Sequence, residues 1–101
     1  MKRLDLDLTE RARAYVREYL AMYEPESLFA LHYGPTRWRF IVVTKAQAAE
    51  IEATSALTGE AVYITNEGVK LLLPEREDVV RLSGKILDVA NDVFTTSDRA
   101  S

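Results

Sequence analysis

Hydrophobic and polar residues alternate along much of this chain, and the spacing of the apolar positions changes from segment to segment. Leu4, Leu6 and Leu8 alternate with aspartates, which is the pattern of a half-buried strand. From Thr9 to Met22 the apolar residues recur every three or four positions, which predicts an amphipathic helix with Thr9 as its N-cap. The predicted buried face of this helix consists of Ala12, Tyr15, Val16, Tyr19, Leu20 and Tyr23.

The middle of the chain predicts a β-hairpin. Residues 27–33 and 37–44 each alternate between two faces, and the Gly-Pro-Thr sequence at 34–36 has the composition of a tight turn. β-Branched and aromatic residues fill positions 40–43, which indicates that the second strand lies near the centre of the predicted sheet.

The following segments predict shorter elements. Residues 45–58 are rich in alanine but lack large apolar anchors, so we expect either a weak helix or a long, partly ordered connection. Residues 61–65 and 69–73 predict two short strands, and the Asn-Glu-Gly sequence at 66–68 predicts a tight turn between them.

The C-terminal part predicts one more helix and one more strand. Residues 74–81 begin with a proline and predict a short helix, which the Ser-Gly pair at 83–84 ends. Residues 85–89 predict the last strand. From about residue 95 the chain is polar, and we expect a frayed tail there.

The order of these elements and two short motifs resemble the HesB-like, A-type iron-sulfur carrier family. The first motif is Leu6-Asp7-Leu8-Thr9 ahead of the amphipathic helix, and the second combines the strand at 68–73, a short helix, and the Leu-Ser-Gly-Lys-Ile-Leu-Asp run at 82–88. The resemblance covers residues 4 to about 96. It implies a single domain over residues 1–101 of the α+β class, mainly β, with a twisted pseudo-barrel of short mixed strands capped by the N-terminal helix.

The family carries iron or an iron-sulfur cluster on cysteines, and this chain has no cysteine. Where the family has a Gly-Cys-Ser/Thr-Gly turn, this chain has Gly34-Pro35-Thr36-Arg37, and the family's C-terminal Cys-Gly-Cys is absent. Proline offers no donor atom to iron. We therefore expect no cofactor and no metal, and the resemblance implies a non-catalytic interaction or scaffold module whose partner is a protein, with self-association through exposed strand edges as a further expectation.

Composition narrows the possible partners. The net charge of -3 and the pI near 5.1 argue against nucleic-acid binding, which depends on phosphate neutralisation. No stretch approaches the roughly 20 apolar residues that span a bilayer, and the acidic N-terminus does not resemble a signal peptide. We expect a cytoplasmic protein without a membrane partner.

The most suggestive chemistry lies around the predicted hairpin turn, where a tryptophan stands between two arginines. Aromatic and guanidinium groups together can hold a phosphate, a carboxylate or a base. An alternative function is therefore small-ligand or anion binding, or an unrecognised enzyme, at His32, Gly34, Thr36, Arg37, Trp38 and Arg39. Strand alternation alone explains the same pattern, with the tryptophan inside and both arginines outside.

Other candidate groups have simpler interpretations. His32 has no recognisable partner nearby in sequence, and no catalytic motif occurs, which favours a protein that is not an enzyme.

The carboxylates have no calcium-loop spacing and are expected on a solvated face; they are Glu50, Glu52, Glu60, Glu67, Glu75, Glu77 and Asp78. Asp88 is expected to cap a turn or pair with a cation. The tyrosine stripe of the first helix either packs on the sheet or forms a partner surface.

Overall fold

A computed structural model describes residues 2–54 and 61–99, and these residues form an α/β domain with one mixed sheet. The elements are β1 (Lys2–Arg3), β2 (Leu6–Leu8), α1 (Glu10–Leu20), β3 (Leu28–Tyr33), β4 (Trp38–Val43), α2 (Lys45–Thr54), β5 (Val62–Ile64), β6 (Lys70–Leu72), α3 (Arg76–Leu82), β7 (Lys85–Ala90) and β8 (Val93–Asp98). The strand order is β1-β5-β6-β3-β4-β8-β7-β2. The predicted hairpin and the near-central position of its second strand, β4, are confirmed.

The N-terminal segment joins the two ends of this sheet. The predicted first strand is two short strands, of which β1 pairs in parallel with β5 and β2 pairs in parallel with β7. The amide of Leu4 donates to the carbonyl of Ile64 at 2.9 Å, and the amide of Asn66 donates to the carbonyl of Leu6 at 3.1 Å. The strands at the two ends of the described sheet are therefore short and belong to one continuous segment.

Helix α1 covers one face of the sheet with aromatic side chains. Tyr15 and Tyr19 pack edge-on against Phe40, with ring centroids 5.6 and 4.9 Å away, and Phe40 stacks on the fully buried Phe29 at 4.7 Å. Such pairs add specificity to the burial of large apolar area. The packing prediction holds for these two tyrosines, whereas Tyr23 lies beyond the helix and is 51% exposed.

Helix α2 packs on the opposite face of the sheet and settles the open alternative for residues 45–54 in favour of a helix. Its N-terminus has a reciprocal cap, because the Thr44 amide donates to Gln47 Oε1 at 2.9 Å and the Gln47 amide donates to Thr44 Oγ1 at 3.2 Å. Ala48 is its buried contact, in a cluster with small and aliphatic side chains of the sheet. Residues 55–58, also part of that prediction, lie outside the described residues.

The prediction of Thr9 as the N-cap of α1 is confirmed, and the same side chain also bonds to Asp88, which is distant in sequence. The Thr9 hydroxyl accepts from the Ala12 amide at 3.2 Å and donates to Asp88 Oδ1 at 2.6 Å. Arg11 binds the same carboxylate through two nitrogens at 2.7 and 2.6 Å, as expected for an acid paired with a cation. These hydrogen bonds hold the pKa of Asp88 well below its usual range, and they join the start of α1 to β7.

The prediction of a frayed tail from about residue 95 is wrong for residues 95–98. These residues complete β8, which pairs with β7 along its whole length from the pair Ala90 and Val93 to the pair Lys85 and Asp98. The connecting residues Asn91 and Asp92 have φ values of 52° and 62°, the left-handed conformation of a two-residue type I′ hairpin. Strand β7 is therefore not the last strand, and backbone pairing orders a segment whose side chains are exposed.

No helix within residues 2–54 or 61–99 has the length and hydropathy needed to cross a bilayer.

Candidate binding surface

The hairpin of β3 and β4 sends the predicted site residues to opposite faces of the sheet. Trp38 is buried in the main hydrophobic core, and its ring meets that of Tyr33 edge-on at 5.3 Å. Arg37 and Arg39, its neighbours in sequence, are exposed. Alternation along the strand thus places the tryptophan in the core and both arginine side chains at the surface.

The outer face of the hairpin nevertheless brings several of the predicted residues together. His32 lies directly opposite Arg39 in the antiparallel register, and Ala30 lies opposite Ile41. The amide of Gly34 donates to the carbonyl of Arg37 at 2.9 Å, which extends the pairing into the turn. Directly opposed residues of such a ladder have Cβ atoms about 5 Å apart. We call His32, Arg37, Arg39 and Ile41 the hairpin surface.

The turn itself contributes mainly through its backbone. The Tyr33 hydroxyl donates to the carbonyl of Thr36 at 3.3 Å, and Thr36 is otherwise exposed. A Cβ atom added to Gly34 would lie 3.8 Å from His32 Nε2, and this is the nearest atom that it would meet. A side chain at position 34 would therefore stand against the outer edge of the imidazole, and glycine leaves that edge uncovered.

Asp78 is the partner of His32, although it lies 46 positions away in sequence. Its Oδ2 atom is 2.7 Å from His32 Nδ1, and its Oδ1 atom accepts from the Tyr33 amide at 3.2 Å. Strand β6 pairs with β3 only at Phe29 and Ala30, so the edge of β3 continues beyond β6. The Asp78 carboxylate satisfies the sheet amide that β6 does not reach.

The expectation of a solvated acidic face is wrong for Asp78, which is only 1% exposed. The sequence contains a signal for its burial: Asp78 and Leu82 are four positions apart on α3 and share its buried side, which also includes the half-buried Val79. Glu50, Glu67, Glu75 and Glu77 are exposed as expected, whereas Glu52 is half-buried and accepts from the Ala61 amide at 3.0 Å. Glu60 lies outside the described residues.

A second contact holds α3 against the hairpin. The Arg81 guanidinium carbon lies 4.8 Å from the centroid of the Tyr33 ring, within the range of a cation–π interaction. Arg81 and Asp78 are one helical turn apart, and both contact Tyr33. Two contacts with Tyr33 thus hold α3 against the hairpin, and the same helix provides the Asp78 carboxylate that orients His32.

An open depression adjoins the hairpin surface beside the β7–β8 turn. Its lining consists of Arg37, Trp38, Arg39, Phe40, Ile41, Asn91, Asp92 and Val93. The arginine side chains thus border a concave region rather than a flat sheet. Within residues 2–54 and 61–99, no group of three or more potential metal-ligating side chains lies close enough together to hold a metal ion.

Compared with known proteins, the chain matches no family model, no curated protein and no solved structure.

Proposed function

We propose that the protein is a cysteine-free relative of the HesB-like carriers and that it acts as a non-catalytic module that binds a protein partner through the hairpin surface. The resemblance of its motifs supports the family, and two features of the described sheet are compatible with a pseudo-barrel. The N-terminal segment bridges the sheet ends, and α1 covers one face. Without cysteine the fold has lost the ligands for cluster transfer.

The observation that carries the binding proposal is the combination of an uncovered aliphatic side chain with cations on one strand face. Ile41 is 63% exposed although it lies in β4, an inner strand of the sheet, and Arg37 and Arg39 precede it on the same face. A single exposed aliphatic residue is ordinary. Here two guanidinium groups precede it on the same strand face, and this combination suits a partner that offers both acidic and apolar side chains. That partner is an extended protein segment that presents acidic and apolar side chains on the same face, at every second position.

Fluorescence anisotropy with two labelled peptides tests this proposal. One peptide has two glutamates and a valine at every second position, separated by serines, so that the three side chains share one face when it is extended. The other peptide has lysines in place of the glutamates. We expect saturable binding of the acidic peptide, weakening with added salt, and no binding of the basic one. Arg39→Gln should weaken acidic-peptide binding about tenfold, whereas Arg17→Gln, an exposed cation on α1, should leave it unchanged.

Two outcomes contradict the proposal. Equal binding of both peptides would show that the surface has no charge preference. A chain that ignores both peptides but sediments as a dimer, and dissociates on substitution of Ile41 by glutamate, would make a second copy the occupant of this surface.

A second candidate function is the binding of a small anion by His32 and Arg39, since the register places these two exposed side chains directly opposite each other. Two adjacent nitrogen donors on one strand pair can share a carboxylate or phosphate. Titration with inorganic phosphate should shift the side-chain NMR signals of both residues together. Shifts spread evenly over all surface arginines would contradict a defined site.

A further inference from the structure

We propose that His32 is a phosphoryl acceptor, and that its Nε2 atom takes the phosphoryl group from a small donor such as a phosphoramidate or an acyl phosphate. The inference goes beyond the proposed function and does not depend on it. It rests on the orientation of the imidazole, the access to Nε2 and the cations beside it.

The orientation of the ring is set by a buried carboxylate. Asp78 is fixed between the Tyr33 amide and His32 Nδ1, and its side chain has almost no solvent contact. A carboxylate that accepts a hydrogen bond from Nδ1 keeps the ring proton on that atom. In the neutral imidazole the lone pair then lies on Nε2, which is the arrangement of an activated histidine.

The Nε2 edge is open to a reactant. The His32 side chain is 55% exposed, and its only hydrogen bond among the described residues is the one through Nδ1. The residue that would cover the Nε2 edge is Gly34, which has no side chain. One ring nitrogen is therefore held by the protein, and the other faces solvent.

Cations beside the imidazole suit a phosphoryl group. Arg39 lies directly opposite His32 in the ladder, and Arg37 is two positions before it on the same face. Guanidinium groups donate paired hydrogen bonds to phosphate oxygens and offset their charge as the group approaches. The carboxylate thus reaches His32 from α3, whereas Arg39 lies opposite it on β4. In the proposed reaction the carboxylate acts on the nucleophile and the arginines on the transferred group.

With phosphoramidate as donor, the phosphoryl group passes directly from the donor nitrogen to His32 Nε2. The Nε2 lone pair forms a bond to phosphorus while the phosphorus–nitrogen bond of the zwitterionic monoanion breaks, and ammonia leaves with the electron pair of that bond. The product ring keeps its Nδ1 proton and becomes a phosphorylated imidazolium, whose positive charge faces Asp78. No atom is oxidised or reduced, and the Nδ1 proton can pass later to water.

The test uses the full chain and potassium phosphoramidate at neutral pH, followed by intact-mass measurement. His32 is the only histidine, so every phosphohistidine formed is at this position. Stability of the adduct in alkali separates it from a phosphorylated carboxylate, and phosphorus NMR distinguishes the Nε2 from the Nδ1 isomer. We expect the Nε2 isomer, formed about tenfold or more faster than in the same chain unfolded in urea, because the fold positions the ring.

Variants separate orientation from general structure. Asp78→Asn should slow phosphorylation and give a mixture of both isomers, since the ring is no longer held in one tautomer. Arg39→Gln should slow the reaction about tenfold without changing the isomer. Glu77→Gln, an exposed neighbour of Asp78 on α3, is the matched control and should react like the unchanged chain.

A folded chain that reacts no faster than the urea-unfolded chain, or that forms mainly the Nδ1 isomer, would overturn the proposal. An Arg39→Gln variant that reacts at the unchanged rate would also overturn the proposal. The test therefore remains decisive even if Asp78→Asn does not fold. Failure here leaves the peptide result intact, because that result depends on Arg39 and Ile41 and not on His32 Nε2.

Discussion

The Asp78 carboxylate joins His32 and the Tyr33 amide, with its Oδ2 atom 2.7 Å from His32 Nδ1. One buried acid therefore completes the hydrogen bonding of a strand edge and orients the only histidine of the chain. The two contacts of Asp78 can be separated by experiment, because the Tyr33 amide needs only an acceptor, whereas the proposed activation of His32 depends on the carboxylate.

Replacing Asp78 with alanine should lower the free energy of unfolding by about 2 kcal/mol, because the Tyr33 amide loses its acceptor and a buried space is left. Asp78→Asn keeps an acceptor oxygen and should cost about 1 kcal/mol. Urea unfolding followed by circular dichroism measures both values. Glu77→Ala should change stability by no more than about 0.5 kcal/mol. Equal effects at positions 77 and 78 would contradict the assigned burial.

Removing the Phe29 ring should be among the most damaging substitutions. Phe29 is fully buried and contacts Phe40, Phe94 and Tyr19. Phe29→Ala is expected to cost about 3–5 kcal/mol in urea unfolding. Tyr23→Ala removes a comparable ring from an exposed position, and a change beyond about 0.5 kcal/mol there would mean that Tyr23 has contacts the fold does not show.

The pairing of Asp88 with Arg11 and Thr9 predicts a pH dependence of stability. Its folded-state pKa is lowered from 3.8, first by the hydrogen bond from Arg11, so its contribution is complete above that value and is lost as the pH falls toward the lower folded pKa. Between about pH 5 and pH 2, stability should therefore fall less steeply in Asp88→Asn than in the unchanged chain. Parallel pH profiles from urea unfolding would exclude this role.

The cap of α1 can be tested separately. Thr9→Ala removes the acceptor for the Ala12 amide and the donor to Asp88, and should cost at least about 1 kcal/mol. Thr9→Ser keeps the hydroxyl and should lose much less. The comparison by thermal unfolding isolates the hydroxyl from the size of the side chain.

Strand β8 should contribute to stability despite its polar side chains. Thr96→Gly is expected to cost about 1 kcal/mol, because glycine weakens a strand and loses the cross-strand contact with Leu87. In a frayed tail the same change would have no effect. Deleting residues 95–101 should also remove protection from hydrogen exchange in β7, and unchanged protection would indicate that β8 does not pair in solution.

The elements with strong apolar periodicity could be predicted from sequence. Helix α1, its Thr9 cap and the β3–β4 hairpin all follow from local patterns, since burial against a core imposes a period of 3.6 or 2. Strand β8 could not be predicted from local pattern, because most of its side chains are polar and exposed. Hydrogen bonds to β7 hold it in place. The Asn91-Asp92 pair was the available signal for that hairpin, as both residues tolerate positive φ.

By itself the sequence determined the first helix with its apolar stripe, the alternating hairpin, and the absence of thiolate chemistry in a sequence without cysteine. Strand alternation also predicted that Trp38 and its flanking arginines point to opposite faces. Only the tertiary structure decided that Asp78 meets His32, because α3 reaches that edge of β3 through long-range packing. A contact across 46 positions has no local pattern, and it exists only where two elements that follow their own periodicities come to lie side by side.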